Sequence, residues 1–409
     1  MADISASLID EIINGMTVDF PEHEPGTRPI HSKGIAAAGV FRATRDAKAY
    51  CVAPQFDGSW TPVTVRFSNG NGQPDPDGRL QVRGMAVKLF AGGTREPDTE
   101  LEHTDENTIV AQGRVEDLPV VAVKPGGCVQ ETDLICMSVS VFMAQSAEKV
   151  LEFERAYRPR KVHRPSPAKR LKALVTMSPL PPLEAGVSTS GNDGFLEWAT
   201  DYEPAQAFML ESSLQRLPAS FARTVYHAVH AFEVEGADGT RRMVRFSFEP
   251  SDGVRSAGPP EAAQSPIASF LWPHLQNEYG RTIDRDYLQS ELRDRLRYAP
   301  SRFSLRMQIA DPWDDTSDPT TAWPTNRRRI LMGTLTLSHV LDDQIAGCEE
   351  LSFNPGRLLP GMAPSDDPVL RQRVAVYEES YRRRMAARRD LPSTDPAARA
   401  PDGCPMGPT

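Results

Sequence analysis

The chain is short of cysteine, has no surplus of positive charge and contains no long apolar run, and each shortage closes off a class of function. Its five cysteines (Cys51, Cys128, Cys136, Cys348 and Cys404) are scattered over 409 residues with no CxxC pair. That spacing suggests neither a disulfide framework nor a zinc finger, and reduced thiols in a cytoplasmic protein are expected. The net charge of −9 leaves nucleic-acid binding through the phosphate backbone without an electrostatic source. No stretch approaches the roughly 20 apolar residues that cross a bilayer, so no membrane partner is expected. The opening residues MADISASLIDEIING lack a basic start and a long apolar core, and no secretory signal is expected. With 28 glycines and 36 prolines, the chain stays well below the roughly 25–30 % of these residues that marks disordered composition. What is there is 39 % apolar and 25 % charged residues, a globular composition in a chain long enough for one large domain or two ordinary ones.

Strand-like runs gather in the middle of the chain and helical patterns flank them. Asp3 to Ile13 reads as an amphipathic helix with Ile4, Leu8, Ile12 and Ile13 on one face. Repeated Pro and Gly make the following FPEHEPGTRPIHSKG irregular. Strands are expected at VFRAT (40–44), TPVTVRFS (61–68) and RGMAVKLF (83–90), with NGNGQPDPDGR as a turn cluster. The segment 91–131 reads as a surface insertion, Cys136 to Phe142 as a strand, and a helix starts near Ser146. Basic, Pro-rich residues 158–170 read as a linker and 196–216 as helical. VYHAVHAFEVEGADGTRRMVRFSFEP reads as a hairpin around a Gly-Ala-Asp-Gly turn, and ILMGTLTL (330–337) as a further strand. A last helix follows Pro364, and the Pro-rich tail 386–409 is expected to be disordered. The pattern argues for an α+β fold, with a closed barrel as one option, and shows neither an internal repeat nor a clear domain break.

Three places could carry chemistry. On the last helix Arg373, Tyr377 and Arg384 fall within about 40° of one another at ~100° per residue, which stacks the tyrosine between two guanidinium groups. A fixed positive charge favours the ionised form of a phenol, and tyrosine is a known proximal haem ligand. His31 lies on irregular backbone in RPIHSKG, three residues after Arg28, where an imidazole can serve as acid and base. In VRFSNGNG, Arg66 and Ser68 share one strand face and Phe67 takes the other. Read singly, each has a blander alternative: a core tyrosine, a loop histidine, a polar strand face. His227 and His230 form HxxH, but on a strand they face opposite sides, so a shared metal is not expected. DPWDDTSDP and QPDPDG read as turns rather than cation sites.

Taken together and in order, these pieces resemble the catalase superfamily, most closely its small catalase-related haem peroxidases. RPIHSKGIAAAGVFRAT is similar to that family's distal-histidine segment, and VRFSNGNG followed by RGMAVKLF to its next two strands. TDLICMSVSVFMAQSAEKVLEF resembles the segment that carries a distal asparagine. GTLTL, FNPGRLLPGMAPSDD and RVAVYEESYRRR resemble the approach to the proximal helix, and DYLQSELRDRLRYAPSRFSLRMQIADP looks closer to the small enzymes. The resemblance implies a catalase-like antiparallel β-barrel with surrounding helices over residues 1–385, binding one haem b. It makes Tyr377 the iron ligand and Arg373 its phenolate-stabilising partner, and places Arg28, Arg66 and Arg384 on the haem propionates. His31 becomes the distal acid and base, Ser68 the group that fixes its tautomer, and Ser138 the occupant of the distal asparagine position. The partners implied are a hydroperoxide and a reducing or oxidisable co-substrate, with a homodimer favoured over an interlocked tetramer. Asn69 and Gly70 depart from the family pattern and are expected to widen the distal pocket or its channel. These departures favour an organic hydroperoxide or a specialised substrate over rapid dismutation of hydrogen peroxide. A hydroperoxide-rearranging or biosynthetic haem oxygenase, and a haem-storage or sensor protein, are the alternatives on the same scaffold.

Overall fold

Alternation along single strands decides the architecture. A computed structural model describes residues 4–17, 23–70, 72, 74–91, 130–157, 161–163, 184–188, 198–257, 280 and 282–390. Its strands are β1 (Gly34–Ala43), β2 (Trp60–Asn69), β3 (Arg83–Phe90), β4 (Glu131–Met137), β5 (Lys161–His163), β6 (Glu184–Ser188), β7 (Tyr226–Glu235), β8 (Arg241–Pro250), β9 (Ser301–Ile309), β10 (Arg329–Val340) and β11 (Met362–Pro364). On β2 the side chains of Val63, Val65 and Phe67 join the apolar core, while Thr64, Arg66 and Ser68 alternate with them on the opposite face. Neighbouring strands repeat this pattern, and the sheet curls around the apolar face.

The order β7-β4-β3-β2-β1-β10-β9-β8 closes on itself through β7 and β8, giving an eight-stranded antiparallel barrel with β11 appended to β7. β5 and β6 form a separate two-stranded ladder. The core holds Phe41, Phe67, Phe246, Phe248 and Phe303 from the strands, with Phe56 and Phe221 from connecting turns, each at most 2 % exposed. Phe67 stacks on Phe221 with ring centroids 5.4 Å apart, and Phe41 meets Phe56 edge-on at 6.0 Å. Each such ring contributes about 1.5–3 kcal/mol through burial, which makes the barrel a solid core and not a lumen.

Helices cover the outside: α1 (Ala6–Thr17), α2 (Ala147–Tyr157), α3 (Gln206–Leu214), α4 (Tyr287–Tyr298) and α5 (Pro368–Asp390). The apolar face expected of α1 packs Ile12 with Ala147 and Leu151 of α2, and Leu8, Met16 and Val376 of α5 lie against this cluster. Leu288, Leu292 and Leu296 of α4, spaced four apart, enter the main core. Among the described residues, no helix is long and apolar enough to cross a membrane.

Four boundaries differ from the sequence reading. The strand expected over Cys136–Phe142 stops at Met137, because Ser138 folds back onto the Arg83 carbonyl (2.8 Å) and Glu211 captures both the amide and the hydroxyl of Ser140. The linker over 158–170 contains the short strand β5. The tail expected from 386 is helical through Asp390, since α5 carries on past the last core residue, and 391–409 lie outside the described residues. Of the insertion 91–131, residues 92–129 lie outside the described residues, and its last residue already belongs to β4. Strand β9 and helix α4 are elements that the periodicity reading passes over.

Candidate active site

His31 sits where β1 has not yet begun. Its φ of 58° is left-handed, a conformation that costs a non-glycine residue about 1–3 kcal/mol. Arg66 holds it by donating to the carbonyl oxygens of His31 (2.7 Å) and Ser32 (3.1 Å). The ring Nδ1 lies 2.8 Å from the Asn69 carbonyl and 3.1 Å from Ser68 Oγ. A carbonyl only accepts, so Nδ1 carries the proton and Nε2 is left as the free acceptor. Burial, and then the positive charge of Arg66, lower the pKa of His31 to about 4, against the opposing pull of the Asn69 carbonyl. The imidazole is therefore neutral at pH 7. Gly84 makes room for it: a Cβ there would stand 2.6 Å from Ser68 Oγ and 2.8 Å from His31 Nδ1. Gly34 does the same for Arg66, whose Cζ would lie 2.5 Å from an added Cβ.

The last helix builds a second centre. Arg373 donates through Nη2 to Tyr377 Oη at 2.7 Å, one turn away. Its Nη1 lies 2.6 Å from His230 Nε2, and His230 Nδ1 lies 2.6 Å from Asp367 Oδ2. Because Arg373 can only donate, His230 accepts at Nε2 and donates from Nδ1 to the carboxylate. Burial lowers the pKa of His230, with Asp367 opposing. Asp367 also accepts from the amides of Val369 (2.8 Å) and Leu370 (3.2 Å), which caps α5 ahead of Pro368. One carboxylate thus starts the helix and anchors a side-chain relay, Asp367–His230–Arg373–Tyr377. Arg373 also lies over the Phe142 ring at 5.2 Å.

Three arginines converge beside the distal segment. Arg28 donates to the carbonyls of Cys348 (2.8 Å) and Leu351 (2.7 Å), and Arg384 donates to that of Glu349 (2.7 Å). Arg66 lies 3.7 Å from the Glu349 carboxylate. The acceptors of Arg28 and Arg384, and the Glu349 carboxylate beside Arg66, come from a single π-helical turn, Ala346–Glu350, and the residue after it. Burial and the mutual repulsion of the three push the pKa of Arg28 well down, and burial takes that of Arg384 to about 10. Arg66 Nε and Arg384 Nη2 are buried with no hydrogen-bond partner among the described residues. Two buried cations, a third that is half-buried, one carboxylate and two idle donors make a site for a ligand with two carboxylates. The donor set therefore fits a haem whose propionates meet Arg28, Arg66 and Arg384.

The structure brings most of the expected residues together and separates two. His31, Ser68 and Arg66 form one cluster, Arg373 and Tyr377 another, and Arg28 and Arg384 join through the π-helical turn. Arg384 does not flank Tyr377 as its helical position suggests; its guanidinium lies over Tyr381 at 5.2 Å. Ser138 makes no hydrogen bond to His31: its hydroxyl accepts from the Arg83 amide (2.8 Å) and donates to Gln215 (3.0 Å). In the ladder Gly34, Ser68, Gly84 and Met137 lie side by side on one face, so Met137 stands in the row below His31 and Ser138 is one place beyond it. Asn69 and Gly70, expected to widen the distal pocket or its channel, are tightly surrounded. The Asn69 side chain is fully buried against Asp77 and Arg83, and a Cβ at Gly70 would lie 2.6 Å from the Val82 carbonyl.

Sequence reasoning missed His230, Asp367, the Asn69 carbonyl and Glu349. The Asp-Pro step at 367–368 is a helix-start signal that could have drawn attention to Asp367. HxxH was tested only as a metal pair; among the described residues no group of metal-ligating side chains is assembled, and His230 pairs with a carboxylate and a guanidinium.

The comparisons with known proteins bear on the family and the fold. The family model for catalase matches residues 7–94 and 193–402. A catalase-related peroxidase of Mycolicibacterium paratuberculosis is 31 % identical over 367 residues, covering 90 % of this chain and 91 % of its own. One from Synechococcus elongatus is 27 % identical, covering 88 % and 84 %. A longer catalase of Alkalihalophilus pseudofirmus is 24 % identical, and the match spans only 43 % of its length. The crystal structure of a fungal catalase shares the fold with a TM-score of 0.63 at 19 % identity, covering 90 % of this chain and 61 % of that one.

Proposed function

Because this chain belongs to the catalase family, we propose that it is a haem b peroxidase or peroxygenase that cleaves hydrogen peroxide or an organic hydroperoxide and oxidises a small co-substrate. The observation that carries the reading is the pairing of a neutral imidazole, proton on Nδ1 and Nε2 free, with a tyrosine backed by Arg373, whose charge is close enough to lower the pKa of that imidazole. Bound there, the haem would supply a redox-active iron.

The chain's own residues divide the work. Tyr377 would hold the iron through its phenol oxygen, and Arg373, donating to that oxygen at 2.7 Å, would favour its anionic form. Arg28, Arg66 and Arg384 would hold the propionates. Nε2 of His31 would take the proton from one peroxide oxygen and return it to the other, so that one oxygen could depart as water or an alcohol; the bound haem would take up the other oxygen and lend the two electrons, which the co-substrate repays. Ser68 and the Asn69 carbonyl keep the ring oriented while this happens. Near the imidazole Met137 presents a thioether, and the Ser138 hydroxyl is already committed to Arg83 and Gln215. An apolar wall there favours an alkyl hydroperoxide over a second molecule of hydrogen peroxide.

The test is to reconstitute the protein with haem and add hydrogen peroxide or an alkyl hydroperoxide with a reducing dye. Dye oxidation that depends on the hydroperoxide is the expected result. Rapid oxygen evolution without dye oxidation would indicate a catalase, and a spectrum indifferent to every hydroperoxide would indicate storage or sensing.

A further inference from the structure

The geometry points to Asp77 as a positioning residue for His31, acting from behind the wall through Lys33 and Asn69. Asp77 is fully buried, and its carboxylate gathers three donors from three parts of the chain. Oδ1 receives the Lys33 ammonium at 2.7 Å and the Asn69 amide at 2.9 Å, and Oδ2 receives the Leu288 backbone amide at 2.9 Å. Lys33 lies two residues after His31. Asn69 owns the carbonyl that takes the His31 Nδ1 proton. One carboxylate therefore grips both the segment that carries the imidazole and the residue that orients it.

The surrounding groups leave this hub little freedom. Arg83 donates to the Asn69 side-chain oxygen and to the carbonyls of Asp77 (2.6 Å) and Arg79 (3.0 Å). The Asn69 amide nitrogen of the main chain donates to the Lys33 carbonyl at 3.0 Å, and the Asp77 amide to the Arg285 carbonyl at 2.8 Å. Lys33 has a second, exposed anionic partner in Asp286 at 2.6 Å, and also reaches the Arg285 carbonyl at 2.8 Å. Leu288 belongs to α4, whose leucines are fixed in the barrel core. The barrel thereby sets Asp77, Asp77 sets Asn69 and Lys33, and these set the tautomer of His31. Its bearing on rate rests on the peroxidase reading; the tautomer itself does not.

The test uses the full chain labelled with nitrogen-15 at histidine, with the His31 signals identified by their loss in His31→Ala. In the parent protein near pH 7 the proton is expected on Nδ1 with Nε2 bare. Asp77→Asn should move part of the population to the Nε2–H form and slow hydroperoxide cleavage by the haem-loaded protein ~10–100-fold with haem content unchanged. Asn69→Ala, which keeps the accepting carbonyl but frees it from Asp77, should do the same, and it decides the matter alone if Asp77→Asn does not fold. Asp286→Ala loosens Lys33 only at its exposed end and should leave the His31 signals as they are. Retention of the parent tautomer in the folded Asp77 and Asn69 variants would overturn the inference, as would an Asp286→Ala spectrum matching that of Asp77→Asn. A changed tautomer with unchanged hydroperoxide cleavage would keep the positioning role and sink the peroxidase reading instead.

Discussion

The two halves of the site are held in opposite ways. Around His31 the main chain does the work: a carbonyl accepts from the ring, and Arg66 grips two further carbonyls. Around Tyr377 the work falls to side chains alone, from Arg373 to His230 to Asp367. The first arrangement keeps an imidazole neutral and pointing one way, as a group that must both take and give a proton requires. The second keeps positive charge beside an oxygen, as a permanent anionic donor requires. A main-chain support is lost only where the groups that steady its backbone are lost, as at Asp77, whereas a relay of side chains fails with any member.

The sharpest way to break this contrast is Tyr377→Phe, which should abolish haem retention, read as haem per chain after reconstitution; unchanged haem content would remove the tyrosine from the site. Next in size, His31→Ala should keep its haem yet lose hydroperoxide cleavage by ~100-fold or more, measured with a reducing dye. The pH profile of the parent belongs with it. Cleavage should hold from pH 8 to near 5 and fall as His31 charges at about 4, far below the 6.5 of a free imidazole. Stability should fall with it: between those values the unfolded chain binds the proton and the folded chain does not, so folding weakens as pH drops from 6.5 towards 4. His230→Ala tests the relay and should weaken haem binding roughly 10–100-fold, the usual scale for a group behind a metal ligand. Ser68→Ala should be mildest, roughly fivefold or less on cleavage, because its contact at 3.1 Å only supplements the carbonyl at 2.8 Å. Should Ser68→Ala prove as damaging as His230→Ala, the contrast between the two supports would be lost.

Much of the frame was legible because it obeys short-range rules. Strands β1 to β3, the hairpin of β7 and β8, and helix α5 follow from alternation, a Gly-containing turn and a capped start. Spacing set Arg66 beside Ser68 on one strand and Arg373 beside Tyr377 on one helix, whereas His31, on irregular backbone, stood out only through the family resemblance. His230 and Asp367 did not, since 137 residues separate them and their meeting depends on β7 passing beside the start of α5. The carbonyl of Asn69 was invisible for another reason: any residue has one, and only the left-handed turn at His31 aims the ring at it. Ser138 was legible only through the family resemblance, and its engagement by Arg83 and Gln215 depends on a turn after Met137 and on a residue 77 positions away.

On β2 the parity of a residue number tells what selection can do with it. Positions 63, 65 and 67 answer to a close-packed interior, where the loss of a few methyl groups endangers the whole molecule. Positions 64, 66 and 68 face a different judge, since nothing in the interior depends on them. With its rings packed solid, the barrel cannot host a reaction inside, so its chemistry was written on the outer wall. Such a wall can be revised one letter in two without opening a cavity in the aromatic interior, and the cost falls instead on the polar contacts that residues such as Arg66 make.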